Sequence, residues 1–238
     1  MNILLVGYGK MGKTIEVVAG QKSHQIAGIL DPSAGKHFDF KTQVDVAIEF
    51  TTPESAAENI RLCIDHKIPV LSGTTGWLDK KGETDTYCIG KDGTFFYASN
   101  FSLGVNLFFK LNEQLAWMMS GKTDYDVSID ETHHTQKKDA PSGTAITLAE
   151  GILKHLPSKK QWVNSETQKA DDLVIRSFRK DPVPGTHTIT YHSSVDDLEI
   201  RHTAHSREGF ARGAVAVAEW LPGQRGVLGM DDFLKFPT

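Results

Sequence analysis

Ile3-Leu4-Leu5-Val6 is an unbroken apolar run, and Gly7-Tyr8-Gly9-Lys10-Met11-Gly12 follows it directly. A short run with no polar alternation is the pattern of a parallel strand buried on both faces. Glycines at this spacing permit a tight turn, close approach of backbone to a pyrophosphate, and close contact between the strand and the next helix. Residues 13–19 can continue that helix, whose first amides are open to an anion. G-x-G-x-x-G alone is a weak signal, but its context strengthens it here. A second strand, residues 25–30, ends in Asp31, about 20 residues beyond the glycines, where a carboxylate can accept hydrogen bonds from a ribose diol. The opening therefore predicts a dinucleotide-binding α/β half.

Asp31 also bears on which dinucleotide. A carboxylate repels a 2′-phosphate, and Pro32 stands where an arginine would favour one, so NADH is expected ahead of NADPH. Lys10 could still meet a 2′-phosphate, which keeps NADPH open. The plainer reading of Asp31 is a loop acid before proline. The α/β alternation continues with a strand over 44–50, a helix over 56–66 entered through Pro53, and a strand over 68–72. Gly73-Thr74-Thr75-Gly76 then makes a small-residue turn at a strand's carboxyl end, where ligands sit in open α/β sheets. A strand over 95–98 leads into Ser99-Asn100-Phe101-Ser102.

Beyond Leu103 the pattern changes. Leu107, Phe108, Leu111, Leu115 and Met118 recur at helical spacing, predicting a core helix over 105–119. Tyr125, Val127 and Ile129 alternate with Asp126, Ser128 and Asp130, as in a half-buried strand, which delivers Glu131, His133 and His134 to its end. A helix then places Ala145, Leu148, Ala149, Ile152, Leu153 and Leu156 on one face. Strands over 174–178, 187–191 and 198–202 and a final helix over 207–220 complete the chain. Several strands in sequence after a βαβ half predict a smaller α+β domain with a mixed or antiparallel sheet. A sheet with one exposed apolar face would invite another subunit.

The run from Glu131 to Ala145 carries the most chemistry. His133 and His134 are adjacent, Lys137 follows, and Pro141-Ser142-Gly143-Thr144 opens a helix. The amides of Ser142, Gly143 and Thr144, with the Ser142 and Thr144 hydroxyls, can cradle a carboxylate. Lys137 can add a point charge to the same anion or a neighbouring one. A histidine gives and recovers a proton near neutrality, so His133 suits proton transfer while His134 helps gather a dianion. Two alternatives stay open: solvent-exposed histidines without a role, and a metal site completed by Glu131 with His187, His202 or His205. No metal is expected.

Composition bounds the rest. A chain of 238 residues, 39 % hydrophobic and 24 % charged with a net charge of -4, has no basic excess that would argue for nucleic acid. Cys63 and Cys88 form no C-x-x-C pair, which fits reduced thiols in a cytoplasmic protein. The first apolar stretch is too short for a signal or membrane segment.

The stretch H-H-x-x-K-x-D-A-P-S-G-T-A, here His133 to Ala145, resembles the 4-hydroxy-tetrahydrodipicolinate (dihydrodipicolinate) reductase family of diaminopimelate and lysine biosynthesis. Phe50-Thr51-Thr52-Pro53, Gly73-Thr74-Thr75-Gly76, Asn100 to Asn106, and Arg207 with Phe210-Ala211 and Gly213-Ala214 fall in family order. The resemblance implies a Rossmann-like dinucleotide-binding domain of residues 1–103 and 212–238, and a substrate-binding and oligomerisation domain of residues 104–211. His133 falls on the family's proton donor and acceptor, and Lys137 on its second catalytic residue. His134, Gly143 and Thr144 fall on substrate-carboxylate contacts, with Ser142 adjoining. Gly7, Tyr8, Gly9, Lys10, Met11, Gly12, Asp31, Gly73, Thr74, Thr75, Ala98, Ser99, Asn100 and Phe101 fall on contacts to the nicotinamide cofactor. The resemblance further implies a cytoplasmic homotetramer joined through the second domain's sheet. The first glycine turn and the stretch between Asp31 and Val44 are shorter than in many members.

The expected reaction is NAD(P)H-dependent reduction of a cyclic, dicarboxylated imine, with His133 protonating the ring after hydride reaches C4. One rival is a two-domain dehydrogenase acting on an amino acid or aldehyde, which would leave the histidine–lysine loop unexplained. The other is a non-catalytic NAD(H) sensor, which would bind NADH without turnover.

Overall fold

The computed structural model describes residues 1–235 apart from Glu166, Gln168 and Arg207, with Pro32 described by its backbone alone. The chain runs β1 (Asn2–Val6), α1 (Lys10–Gln21), β2 (Gln25–Leu30), β3 (Val46–Glu49), α2 (Pro53–Asp65), β4 (Val70–Ser72), α3 (Lys81–Gly90) and β5 (Thr94–Tyr97). It continues through α4 (Leu103–Met119), β6 (Asp126–His133), α5 (Gly143–Leu153), β7 (Gln161–Val163), β8 (Asp172–Arg179), β9 (Gly185–His192) and β10 (Asp197–Ala204). It ends with α6 (Glu208–Trp220), β11 (Gly226–Leu228) and α7 (Met230–Leu234). Two units result, Met1–Leu103 with Glu208–Thr238, and Gly104–Arg207. Among the described residues no helix is long and apolar enough to cross a membrane.

The first unit is built on six parallel strands in the order β11-β5-β4-β3-β1-β2. Its apolar runs follow from the two covered faces. Ile3 and Leu5 of β1, with Val46 and Ile48 of β3, pack in one layer with Ile15 and Val18 of α1 and Val215 of α6. Leu4 and Val6, with Ala47, pack in the opposite layer with Ala56, Ile60 and Ile64 of α2. The pleat thus shares a continuous apolar run between two cores. β1 pairs with β2 on one side and β3 on the other, so the crossover direction reverses there. Such a switch point, beyond the strands' carboxyl ends, is where open α/β sheets take ligands.

The second unit has a mixed five-stranded sheet, β10-β9-β6-β8-β7, antiparallel through β10, β9 and β6 and parallel through β6, β8 and β7. Val127, Ile129, Leu173, Ile175 and Ile189 on one face pack with Leu148 and Ile152 of α5 and Phe108 and Leu115 of α4. The apolar face of this sheet is therefore covered within the unit. The other phase of β6 carries Ser128, Asp130 and Thr132, with Asp130 paired to Arg176 at 3.0 Å.

Several elements differ from expectation. Helix α4 forms, but its buried face is Val105, Phe108, Asn112, Leu115, Ala116 and Met119, while Leu107, Leu111 and Met118 are about half exposed. Asn112 hides that face from a search for apolar periodicity, and it is held inside because its Nδ2 donates to the Leu148 carbonyl at 2.9 Å. α3, β7, β11 and α7 were not anticipated: α3 buries only Thr84 and Cys88, and both β7 and β11 have three residues. The helix expected over 207–220 is α6, which begins at Glu208, and Arg207 lies outside the described residues.

Helix α6 packs closely within the first unit. A Cβ at Gly213 would lie 1.7 Å from the Phe101 carbonyl oxygen. In an unconstrained helix glycine-to-alanine stabilises by about 1 kcal/mol. Overpacking against backbone costs about 1–3 kcal/mol or more. Gly213→Ala should therefore lower the thermal unfolding midpoint; a raised midpoint would mean that the close approach does not hold.

Candidate active site

Strand β6 sets the site. Its burial alternates, so Val127, Ile129, Glu131 and His133 share the inward phase. The first two are core; at the strand's end the same phase turns ionic. The antiparallel register sets His187 of β9 opposite Glu131, and the parallel register sets Arg179 of β8 opposite His133. Cross-strand neighbours are within side-chain reach.

Glu131 is fully buried and central. The Ser142 backbone N–H donates to both of its oxygens, at 3.1 and 3.2 Å. His133 Nδ1 lies 3.3 Å from Oε2, an ion-pair separation without the alignment of a full hydrogen bond. Arg179 Nη2 lies 3.5 Å from Oε1, and His187 Nε2 lies 3.8 Å from Oε2. Burial works to raise the carboxyl's pKa, but the neighbouring His133 and the serine donors Ser142 and Ser177 outweigh it and hold the group at about 2. Burial, and then the neighbouring His133 charge, depress His187 to about 4. The two imidazoles meet edge to face at 5.1 Å.

The loop after β6 is tied down at several points. Ser142 caps α5 in an extended conformation, its hydroxyl accepting from Ala145 N–H at 3.2 Å and lying 3.2 Å from His187 Nε2. Ser142 is thus buried and engaged through both amide and hydroxyl. Exposed Gly143 and half-buried Thr144 stand in the first turn, where helix amides lack acceptors within the helix. Lys137 Nζ donates to both oxygens of Asp139, at 2.9 and 2.8 Å. Arg179 braces the loop from outside, donating to the Lys137 carbonyl at 3.3 Å and to the Asp139 carbonyl at 2.6 Å. A hollow of about 310 Å³ lined by His134, Gln136 and residues 181–184 adjoins it. A larger hollow, about 750 Å³, lies at the other end of β6 and contains none of these residues.

Glu131, His133 and His187 offer three donor atoms within 4.8 Å of one another. These belong to the ligand set left open by the sequence. Arg179 already brings a positive charge to the same carboxylate, which disfavours a divalent ion there.

In the first unit, the glycine loop has the expected local character. Gly7 has φ +91°, and a Cβ there would lie 2.1 Å from the Phe50 carbonyl oxygen. A Cβ at Gly12 would lie 2.5 Å from the Gly7 oxygen, whereas the space beside Gly9 is open. No side chain caps α1 at Gly9. The loop thus meets the geometric needs of a pyrophosphate cradle. Asp31 is not free: it accepts from Tyr8 N–H at 2.9 Å, Ser33 hydroxyl at 2.6 Å and Ala34 N–H at 3.2 Å. These bonds, the Ser33 hydroxyl foremost, hold its carboxyl below the usual range despite some burial. Lys36, bridged to Asp31 through backbone, sets its ammonium 3.8 Å from the centroid of the Tyr8 ring.

At the ends of β3 and β4, buried Glu49 accepts from Ser72 at 2.5 Å, from Thr74 at 2.9 Å and from the Thr51 hydroxyl. It fixes Thr74 beneath the turn that holds half-buried Gly73 and exposed Thr75. Ala98 and Phe101 are packed in the core, so they can offer a ligand only backbone; Ser99 is exposed and Asn100 half-buried. Sequence reasoning missed Glu49 and Arg179. An acid ending a run as apolar as Val46-Ala47-Ile48 was the available signal for the first; no local pattern marks the second.

Comparisons with known proteins bear on the chain as a whole. Residues 1–101 match the model described as "Dihydrodipicolinate reductase, N-terminus", and residues 104–234 match "Dihydrodipicolinate reductase, C-terminus". A 4-hydroxy-tetrahydrodipicolinate reductase of Christiangramia forsetii is 51 % identical over 99 % of this chain and 98 % of that one. Another, of Methanoculleus marisnigri, is 33 % identical over 95 % of each chain. Among solved structures, a dipicolinate-bound dihydrodipicolinate reductase from Paenisporosarcina sp. TG-14 matches with a TM-score of 0.80 at 22 % identity, covering 98 % of both chains.

The buried pair has a consequence for acid stability. His187 is neutral in the folded protein down to about pH 4, whereas an ordinary histidine protonates near 6.5. Glu131 stays ionised down to about pH 2, against an ordinary 4.5. In both cases the unfolded chain binds more protons over the interval, so stability is present above it and lost on acidification. The urea midpoint should fall from pH 6.5 to 4, and His187→Gln should flatten that fall. A wild-type midpoint constant across this window would show that His187 titrates normally.

Proposed function

This chain belongs to the dihydrodipicolinate reductase family, and we propose that His133 and Lys137 carry its chemistry at the end of β6. The reaction is the pyridine-nucleotide-dependent reduction of 4-hydroxy-tetrahydrodipicolinate to tetrahydrodipicolinate, in diaminopimelate and lysine biosynthesis. The observation that most supports these roles is the buried carboxylate of Glu131, which gathers His133, His187, Arg179 and the start of α5 around one loop.

The roles follow from the chemistry. The dehydrated substrate is an unsaturated cyclic imine with two carboxylates. When bound, a reduced pyridine nucleotide supplies hydride to ring C4. Negative charge then spreads over the ring nitrogen and the carbon next to C4, and His133 delivers a proton to that carbon. Lys137 supplies positive charge to the substrate carboxylates, and the His134 ring with the first-turn amides at Gly143 and Thr144 supplies donors. Ser142 acts by capping α5 and holding its first turn. Gly7, Tyr8, Gly9, Lys10, Met11 and Gly12 would hold the pyrophosphate, with Gly73, Thr74, Thr75, Ala98, Ser99, Asn100 and Phe101 toward the nicotinamide.

NADH is the preferred cofactor in this reading, because Asp31 sets a carboxylate beside the glycine loop. Lys36, bridged to Asp31, favours the second reading, in which NADPH is also used. The protein is read as cytoplasmic and homotetrameric, joined through the second unit. The exposed Leu107, Leu111, Trp117 and Met118 on α4 support self-association of that unit.

Turnover is tested by following NADH and NADPH oxidation with the freshly made condensation product of pyruvate and aspartate semialdehyde. His133→Ala should lower kcat by about 10²–10⁴-fold with KM little changed. Lys137→Ala should lower kcat and raise KM. Wild-type rates in either variant would remove that residue from the chemistry. Asp31→Ala should narrow any advantage of NADH over NADPH, and an unmoved ratio would show that Asp31 does not read the ribose.

A further inference from the structure

The assignment of His133 as donor leaves open how a strand-end histidine keeps one nitrogen ready for substrate. A neutral imidazole shares one proton between two nitrogens, and the hydrogen bond at one decides the role of the other. Glu131 lies at the Nδ1 edge, 3.3 Å away at ion-pair separation, so that a small rotation of the ring would align an Nδ1–H with its carboxylate. On the other edge, a Cβ at Gly185 would come within 3.1 Å of Nε2, so glycine keeps that edge uncrowded. The carboxylate that faces Nδ1 is fully buried, on a phase otherwise given to Val127 and Ile129. A buried charge is costly unless it is paired and hydrogen-bonded. Here Arg179 and the Ser142 amide satisfy it, and neither restricts Nε2 of His133.

We propose that Glu131 is the positioning residue of this site. Its carboxylate holds the Nδ1–H form of His133 and so dedicates Nε2 to the substrate, while the same carboxylate, through the Ser142 amide, fixes the start of α5 in register with the donor. The proposal rests on the reading of His133 as proton donor. In the step itself the Nε2–H bond of the imidazolium breaks and a C–H bond forms on the substrate ring. His133 is left neutral with its proton on Nδ1 and regains the other from solvent. Glu131 stays ionised throughout and exchanges no proton. The groups around His133 are Glu131 on its own strand, Arg179 on β8 and His187 on β9, with Lys137 of the loop near enough to act on His187. His202 on β10 stands behind His187. Glu131 is the anion among them.

The test compares pH profiles of kcat and kcat/KM for wild type, Glu131→Gln, Glu131→Asp and His133→Ala, with thermal midpoints recorded alongside. In Glu131→Gln, kcat should fall about 10²-fold, less than the ~10⁴-fold seen where a triad carboxylate is replaced by its amide. KM for the dicarboxylate should barely move. The alkaline limb, where the donor loses its proton, should shift toward acid by about one pH unit, since an opposite charge within reach favours the protonated form. Glu131→Asp keeps the charge and should keep the limb near its wild-type position. A Glu131→Gln protein with wild-type kcat and an unmoved limb, or one whose only change is a lower thermal midpoint, would overturn the proposal.

A second measurement does not depend on the variant folding. In the wild-type holoenzyme labelled with ¹⁵N-histidine, the resonances lost in His133→Ala identify its ring, and the neutral form should carry its proton on Nδ1. A proton on Nε2 would overturn the proposal. If His133→Ala turns over as fast as wild type, the donor assignment itself fails. If His133→Ala is slow while Glu131→Gln is unchanged, that assignment stands and only the positioning role is lost.

Discussion

A carboxylate with no access to solvent organises the second unit. Glu131 could not stay ionised on the core side of β6 without donors on several sides. It obtains them from the Ser142 amide at the start of α5 and Arg179 at the end of β8, while His187 of β9 closes the third side, its Nε2 held to the Ser142 hydroxyl. Satisfying one charge therefore brings together segments that have no local reason to meet. The Arg179 side chain extends the same arrangement outward, gripping the carbonyls of Lys137 and Asp139. The loop that carries the cation is thus referenced to the strand that carries the histidine.

The first unit uses a parallel device. Glu49 ends β3 as Glu131 nears the end of β6, fully buried and surrounded by hydroxyls from Ser72, Thr74 and Thr51. Burial pushes its pKa up, against the pull of those hydroxyls. The contrast with Glu131 is instructive: around Glu49 hydroxyls and a backbone N–H leave burial in charge, whereas around Glu131 a histidine with serine donors reverses it. In both units a carboxylate in the last turns of a strand converts core packing into loop geometry.

How much of this the sequence disclosed depended on whether the signal was local. The opening strand and glycine turn were legible because a doubly buried strand must be apolar throughout, and because Gly7 and Gly12 have no room for a side chain. The inward phase of β6 was legible too, since Val127 and Ile129 carry the same parity as Glu131 and His133. What that phase would meet was not, because strand order and register bring in Arg179 and His187 from far along the chain. His187 was named only as one of several remote metal ligands. Helix α4 was located correctly but turned wrongly. Its outer face is as apolar as its inner one, and the buried Asn112 interrupts the true stripe.

The grip of Lys137 on Asp139 has a consequence for anything that binds beside it. An ammonium that already holds both oxygens of a carboxylate two residues away is not a bare cation awaiting an anion. An arriving carboxylate must exchange with one that the chain itself supplies, at an effective concentration fixed by the loop and independent of dilution. Such an internal competitor weakens every single-point contact equally. A molecule that engages the lysine and a second donor set together offsets that exchange better than one that engages the lysine alone, so the Lys137–Asp139 pair would favour two carboxylates over one.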